Sequence, residues 1–308
     1  MKRLLFLSLF LLAAVVQALA FDYTDANGVT WTCSVGADGT ATITGATGYG
    51  TEVIVPGTVY DGEQPYITTA LSNTFKGATK ITKVKLPETV KAIYHSSFSD
   101  CSNLVTIEGT ENVTYIDGQT FLGCSSLTAI DIPLVTTIET QTFSGCFSLA
   151  AVNIPSVSVV GYRAFYYCEA LKAVDLPKVT SIGEEVFYGC SSLESVNLPM
   201  VTSIGNNAFC GANITEVSLP ATLQSLGYGN FSSAVKIVLG SVTPPALATS
   251  SSYSNFSSVA TLIVPEASLE AYKSAEVWNK YAGQMLSQSD KVDYDVATTA
   301  QDNTSGLH

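Results

Sequence analysis

Two histidines, a pair of adjacent glutamates, a regular file of cysteines and a knot of tyrosines are the side chains here whose types could do chemistry. His95 is followed by Ser96, the base and nucleophile types of an acyl-transfer pair, and His308 is the terminal residue. That chemistry needs facing side chains and a third, orienting group, which neighbours in sequence do not provide. Glu184 and Glu185 diverge for the same reason, unlike a glycosidase pair held across a cleft. The sequence has no glycine-rich phosphate loop, no CxxC and no paired histidines. Neither an enzyme, nor a cofactor, nor a metal centre is expected.

Binding is the chemistry left over, and it depends on how the chain stacks its residues. Phenylalanines recur at Phe75, Phe98, Phe121, Phe143, Phe165, Phe187, Phe209 and Phe231, in steps of 23, 23, 22, 22, 22, 22 and 22 residues. Each opens a Phe-x-x-Cys/Ala pattern, followed in most coils by Leu (Leu104, Leu127, Leu149, Leu171, Leu193), a β-type apolar pair and Pro. A fixed period in the twenties with a Leu-x-x-Ile-x-Ile core predicts a β-rich leucine-rich solenoid of about eight coils, one repeat per coil. In one coil Leu127, Ile130, Ile132, Val135, Ile138, Phe143 and Cys146 are expected to point inward. Seven such groups contribute on the order of 10–20 kcal/mol when buried. Ordering a whole coil costs as much or more, so each coil depends on its neighbours. Glycines two residues after Phe (Gly77, Gly123, Gly145, Gly189, Gly211) predict a turn with positive φ. Asp100, Tyr167 and Ser233 break that pattern.

The seven cysteines would ordinarily point to disulfides in an exported chain. Cys101, Cys124, Cys146, Cys168 and Cys190 instead share one repeat slot with Ala78, Ala212 and Ala234, so the slot asks for a small apolar group. Free, buried thiols are expected. Cys33 and Cys210 lie off this file and are expected to be unpaired as well.

The ends bound the domain plan. Residues 1–20 read as an export leader: Lys2 and Arg3, the apolar Leu4–Val16, and the Ala18-Leu19-Ala20 cleavage site. The apolar run is too short to span a bilayer, so no stable membrane insertion is expected. Removing Lys2 and Arg3 takes the formal charge from −12 to −14 (−12 − 2) and leaves 12 (14 − 2) basic residues, a poor basis for binding nucleic acid. Residues 21–67 read as a β cap, with a hairpin signal at Ala37-Asp38-Gly39. The solenoid is assigned to 68–265 and a capping helix to 266–286, with Leu269, Tyr272, Val277, Trp278 and Tyr281 at helical spacing. Residues 287–308 are polar, without periodicity, and expected to be disordered. Five Asn-x-Ser/Thr triplets (Asn112, Asn213, Asn230, Asn255, Asn303) matter only in a eukaryotic host.

The run Ile182-Gly183, Phe187, Gly189-Cys190, Leu193, Val196 and Leu198-Pro199 resembles the repeat of BspA-like leucine-rich repeat proteins, and the resemblance covers about residues 50–285. It implies a solenoid that is exported or on the cell surface, of an adhesin-like kind, with no catalytic residues to carry over. The chain departs from the larger members in having no long C-terminal sorting or anchoring domain.

Two surfaces are candidates for contact. One outward residue per front strand gives the series Lys85, Glu108, Asp131, Asn153, Asp175, Asn197, Ser218. Asp131, Asn153, Asp175 and Asn197 would form a ladder with rungs about 4.8 Å apart, either a docking face or a solvated stripe in which Asn separates the carboxylates. Asp131 and Asp175 are two coils apart, which makes a calcium role a remote alternative. The second surface gathers Tyr166 and Tyr188, at one repeat position in adjacent coils, with Tyr162 and Tyr167 beside them and Phe147 one coil earlier. Clustered aromatics serve protein hot spots and sugar-stacking platforms, or shield turns. The expected function is a secreted or surface-held binding scaffold for a host or microbial surface or extracellular-matrix protein. Glycan capture and a structural surface role are the alternatives.

Overall fold

The computed structural model describes residues 19–290, apart from Tyr253 and Val259. The chain opens with a β cap: β1 (Leu19–Thr24), β2 (Thr30–Val35) and β3 (Ala41–Thr47) form antiparallel pairs, and Trp31 and Ile43 are buried beneath them. β4 (Glu52–Ile54) begins the front face of the solenoid, and β5 (Thr58–Asp61) and β6 (Gln64–Ser72) form a hairpin. The far half of β6 pairs in parallel with both β3 and Ala92–Tyr94, so the cap sheet runs directly into the coils. Leu19 and Ala20 begin β1, opposite Val35 and Ser34; the rest of the expected leader lies outside the described residues.

The solenoid has about ten turns, its ends formed by β4 and by Thr261–Val264 and Met285–Ser287 beyond the eight phenylalanine coils. Parallel strands stack on two sides. On the back, Thr137–Ile138, Val159–Val160, Ser181–Ile182, Ser203–Ile204, Ser225–Leu226 and Ala246–Leu247 make one continuous ladder. The front ladder is interrupted: Ala129–Asp131 pairs with Ala151–Asn153 and Ala173–Asp175 with Ser195–Asn197, but the two pairs do not join. All seven side chains expected to face inward from the coil of Phe143 are buried; in the next coil Val152 is only half-buried.

The third side of each coil is built around the phenylalanine, and its geometry is unlike a β-strand. The residue two before Phe and the residue two after it both have left-handed φ. The first set is Asn73, Ser96, Gln119, Gln141, Arg163, Glu185 and Asn207, at 49–59°, with Gly229 at 73° before Phe231; the second runs through Gly77, Asp100, Gly123, Gly145, Tyr167, Gly189 and Gly211, at 56–78°. With left-handed residues at both ends of this five-residue segment, every second N–H faces the neighbouring coil, while the amides between them, Thr142 and Ser144 in the coil of Phe143, bond back to Glu139 O and Gln141 O within their own coil. Thus the amides of Gln141, Phe143 and Gly145 all donate to the next coil, to the carbonyls of Tyr162, Ala164 and Tyr166, at 3.0, 2.8 and 2.8 Å. The next coil repeats this through Phe165 to Val186 and Tyr167 to Tyr188. The turn therefore survives substitution of its glycine at Asp100 and Tyr167, which keep positive φ, whereas Ser233 does not adopt it.

Inside this wall the eight rings stack with centroids 5.1–5.5 Å apart, all buried. The cysteines beneath them do more than fill space. Each thiol donates to the carbonyl of the preceding coil's phenylalanine: Cys101 to Phe75, Cys124 to Phe98, Cys146 to Phe121, Cys168 to Phe143 and Cys190 to Phe165, at 2.9–3.2 Å. All seven cysteines are unpaired.

A helix is present at the C-terminal end, as expected, but it is shorter than the 266–286 assigned to it. Only α1 (Leu269–Ser274) is α-helical; Ala275 is extended, Val277 has φ 71°, and Trp278–Gln284 continues as a 3₁₀ turn. Two ring anchors explain the break. Tyr272 is held by the Ser241 hydroxyl and carbonyl, and Trp278 Nε1 donates to Pro245 O at 2.7 Å. The hydroxyl of Ser274 also turns back on Glu270 O at 2.7 Å, a bond that competes with helix propagation. Ser287, expected in the tail, closes a last strand (Met285–Ser287) paired with Thr261–Val264. Residues 291–308 lie outside the described residues.

Candidate functional site

The repeat geometry brings the four expected tyrosines together on the coils of Phe165 and Phe187. Tyr166 and Tyr188 occupy equivalent turn positions and stack at 5.2 Å with 18° between their planes. Tyr167 meets both edge-on, at 4.6 Å from Tyr166 and 5.7 Å from Tyr188. Tyr162 and Tyr167 are exposed, Tyr166 and Tyr188 half-buried. Burial pushes the Tyr166 hydroxyl above its ordinary range. Phe147 is exposed one coil earlier and makes no ring contact with the tyrosines among the described residues.

Arg163 completes the cluster, and sequence reasoning missed it. Its guanidinium lies 4.8 Å from the Tyr162 ring centroid and 4.7 Å from that of Tyr166, while Nε donates to Glu185 Oε2 at 2.5 Å. Arg163 and Glu185 are the left-handed residues two before Phe in adjacent coils, which is what sets them side by side. The available signal was scarcity: the chain has two arginines, and the other is Arg3 in the expected leader.

Tyr167 sits at the position where most coils carry glycine, at φ 56°. Its ring covers the glycine of the next coil so closely that a Cβ on Gly189 would lie 2.5 Å from Tyr167 Cδ1. Gly189 itself has φ 74°. Gly189→Ala is therefore expected to cost about 1–2 kcal/mol from the left-handed backbone alone and to displace the Tyr167 ring. A urea titration reads the first effect, and a change in tyrosine near-ultraviolet circular dichroism reads the second.

The front ladder pairs within itself. Asn153 Nδ2 donates to Asp131 Oδ1 at 2.7 Å and Asn197 Nδ2 to Asp175 Oδ1 at 2.8 Å, all four side chains being exposed. Each bond falls inside a hydrogen-bonded strand pair; none joins Asn153 to Asp175 across the interruption among the described residues. The amides thus neutralise the polarity of the carboxylates one by one.

His95 faces Asp117, Nδ1 to Oδ2 at 2.9 Å, beside Tyr94 and Tyr115, whose rings meet at 5.4 Å with 45° between their planes. No hydrogen bond joins it to Ser96 among the described residues. Of the sequons, Asn230 and Asn255 are buried and their amides donate to backbone carbonyls, so neither is a surface acceptor. No helix among the described residues is long and apolar enough to cross a membrane.

The BspA type leucine-rich repeat region matches in six copies over residues 65–172 and 158–270. A leucine rich cell surface protein of Faecalibacterium prausnitzii A2-165 is similar in structure, with 30% identity and a TM-score of 0.52 over 73% of this chain and 56% of that one. The chain thus spans little more than half the length of that protein. A leucine-rich repeat protein of T. pallidum gives 29% identity and a TM-score of 0.55 over 59% of this chain and 86% of its own. One from Bacteroides ovatus ATCC 8483, at 21% identity and a TM-score of 0.53 over 82% and 79%, shares the fold. No curated protein matches. With two thirds of its length matched by that repeat and its coils built on the same period, the chain belongs to the BspA type leucine-rich repeat family.

Proposed function

We propose that the protein is an exported, non-enzymatic binding scaffold, a surface adhesin or host–microbe interaction module. Its partner is a surface or extracellular-matrix protein met at Tyr162, Tyr166, Tyr167 and Tyr188. Tyr167 carries the reading. The turn it occupies is best made by glycine, as at Gly123, Gly145 and Gly211. A tyrosine there costs about 1–2 kcal/mol of backbone strain, yet its ring stays exposed. Strain of this kind accumulates where a side chain is needed for contact, and tyrosine is a preferred hot-spot residue. The surface location of the Faecalibacterium protein and the export leader read in residues 1–20 support the compartment.

The front ladder is read as a solvated stripe: in each pair one amide donor already holds one carboxylate oxygen, and the remaining donors and acceptors are open to water. A glycan partner is less well supported. Sugar rings stack on free aromatic faces, and here Tyr166 is covered by Tyr188 on stacking and approached by Arg163, which also lies on Tyr162.

Tyr167→Gly is the test. Glycine keeps the turn and relieves its strain, so thermal stability is expected to stay within about 1 kcal/mol of the parent. Saturable binding to immobilised matrix proteins is expected to weaken by about tenfold or more, the loss of one hot-spot aromatic. Unchanged binding by the folded variant would remove the cluster from the interface.

A further inference from the structure

We infer that Arg163 is a receptor for a carboxylate, and that the segment of the protein partner seated on the tyrosine cluster is an acidic peptide. The inference rests on the binding role proposed above and names the chemistry of its central contact. Arg163 is fixed on three sides: the Tyr162 and Tyr166 rings approach its guanidinium at 4.8 and 4.7 Å, and Glu185 accepts from Nε. No other acceptor bonds it among the described residues, and a third of its side chain remains exposed. Neither Nη bonds an acceptor among the described residues, so that edge of the guanidinium keeps its donors for a ligand. Such a fork matches the two oxygens of a carboxylate, and its entropy is already spent. The exposed Tyr162 and Tyr167 border it with apolar surface that would exclude water from the ion pair.

Charge selects among anions. Glu185 already offsets the guanidinium, and Glu184 and Glu169 are also exposed on these two coils. With Glu185 already balancing the guanidinium, any anion adds net negative charge here; a carboxylate adds one unit where a phosphate dianion adds two, so the singly charged group is held at the lower electrostatic cost. The covered ring faces of Tyr162 and Tyr166 favour a carboxylate on a peptide side chain over one on a sugar ring.

The probe is a blocked hexapeptide alternating glutamate and leucine, titrated into the full chain by calorimetry beside its glutamine counterpart and an oligoglucuronate. Saturable binding is expected for the glutamate peptide alone, with the glutamine peptide about tenfold or more weaker, the size of a lost charge-assisted pair. Arg163→Lys keeps the charge but loses the fork, and is expected to weaken the glutamate peptide about tenfold while leaving the fold intact by circular dichroism. Equal binding of the two peptides, or full affinity in Arg163→Lys, would overturn the inference; so would an oligoglucuronate that binds where the peptide does not. If the glutamate peptide fails while Tyr167→Gly still abolishes capture of a matrix protein, the carboxylate inference falls alone and the binding role stands.

Discussion

Replacing Phe143 by alanine is expected to remove about 3–5 kcal/mol of stability, the range for a fully buried aromatic in a close-packed core. The ring is wholly buried and stacks on Phe121 at 5.4 Å and Phe165 at 5.3 Å, so its loss opens a void shared by three coils. The walls of that void cannot close easily. The amides of Gln141, Phe143 and Gly145 are each bonded to the next coil, which holds the backbone at its spacing. A typical domain has only about 5–15 kcal/mol in total, so the variant loses a large share of its margin. Because a solenoid is held by nearest-neighbour contacts, weakening its middle also uncouples its halves. Urea unfolding followed by circular dichroism should show a lower midpoint and a broader or divided transition. A loss below about 1 kcal/mol would mean that the neighbouring coils collapse onto the gap, against the rigid spacing described above.

Phe143 was legible in the sequence because its period is carried by one residue type at a constant offset. The inward faces of the coils, the glycine turn and the shared Cys/Ala slot were legible for the same reason. What escaped notice has no common chemistry to betray it. The left-handed position two before Phe holds Asn, Ser, Gln, Arg, Glu and Gly in different coils, because the requirement is on backbone hand and not on the side chain. Since that position sets Arg163 against Glu185, the cation of the candidate site was hidden with it, while the tyrosines were found because Tyr166 and Tyr188 share one repeat position in adjacent coils. The broken C-terminal helix was obscured in another way. The apolar spacing of Leu269, Tyr272 and Trp278 is helical, but Ser241 and Pro245 claim the two polar ring atoms and override it. The cysteines lie between these cases. The Ala substitutions correctly marked a small buried slot, yet the S–H···O=C bond that distinguishes cysteine from alanine there depends on a neighbouring coil, and no local pattern records it.

That buried file makes the fold sensitive to alkali, and the sign follows from the direction of the shifts. Burial holds Cys101 up to about 11 and Cys190 up to about 12, from an ordinary value of 9.0, and raises Cys124, Cys146 and Cys168 as well. A thiol whose folded pKa is raised keeps its proton in the native state after the unfolded chain has begun to release it. Its contribution is fully present below pH 9 and is lost as pH climbs from there through 11 and 12. At pH 10 the loss is on the order of 1 kcal/mol per thiol, so five thiols in register withdraw on the order of 5 kcal/mol, comparable to the stability of a whole domain. A cooperative alkaline unfolding transition is therefore expected as pH climbs above 9, with little change in stability between pH 7 and 8.5. Replacing Cys124, Cys146 and Cys168 together by alanine removes three of the five titrations and should shift that transition to higher pH, even though it sacrifices three thiol–carbonyl bonds and lowers stability at neutral pH. Crossing stability curves of this kind cannot arise from tyrosine ionisation, which both proteins share. Thiol labelling gives the native-state counterpart. At pH 8 the half-buried Cys210 should react promptly with an aromatic disulfide, while Cys33 and the five ladder thiols wait for unfolding. Six fast thiols at pH 8, or an alkaline transition unmoved in the triple variant, would refute this account of the cysteine file.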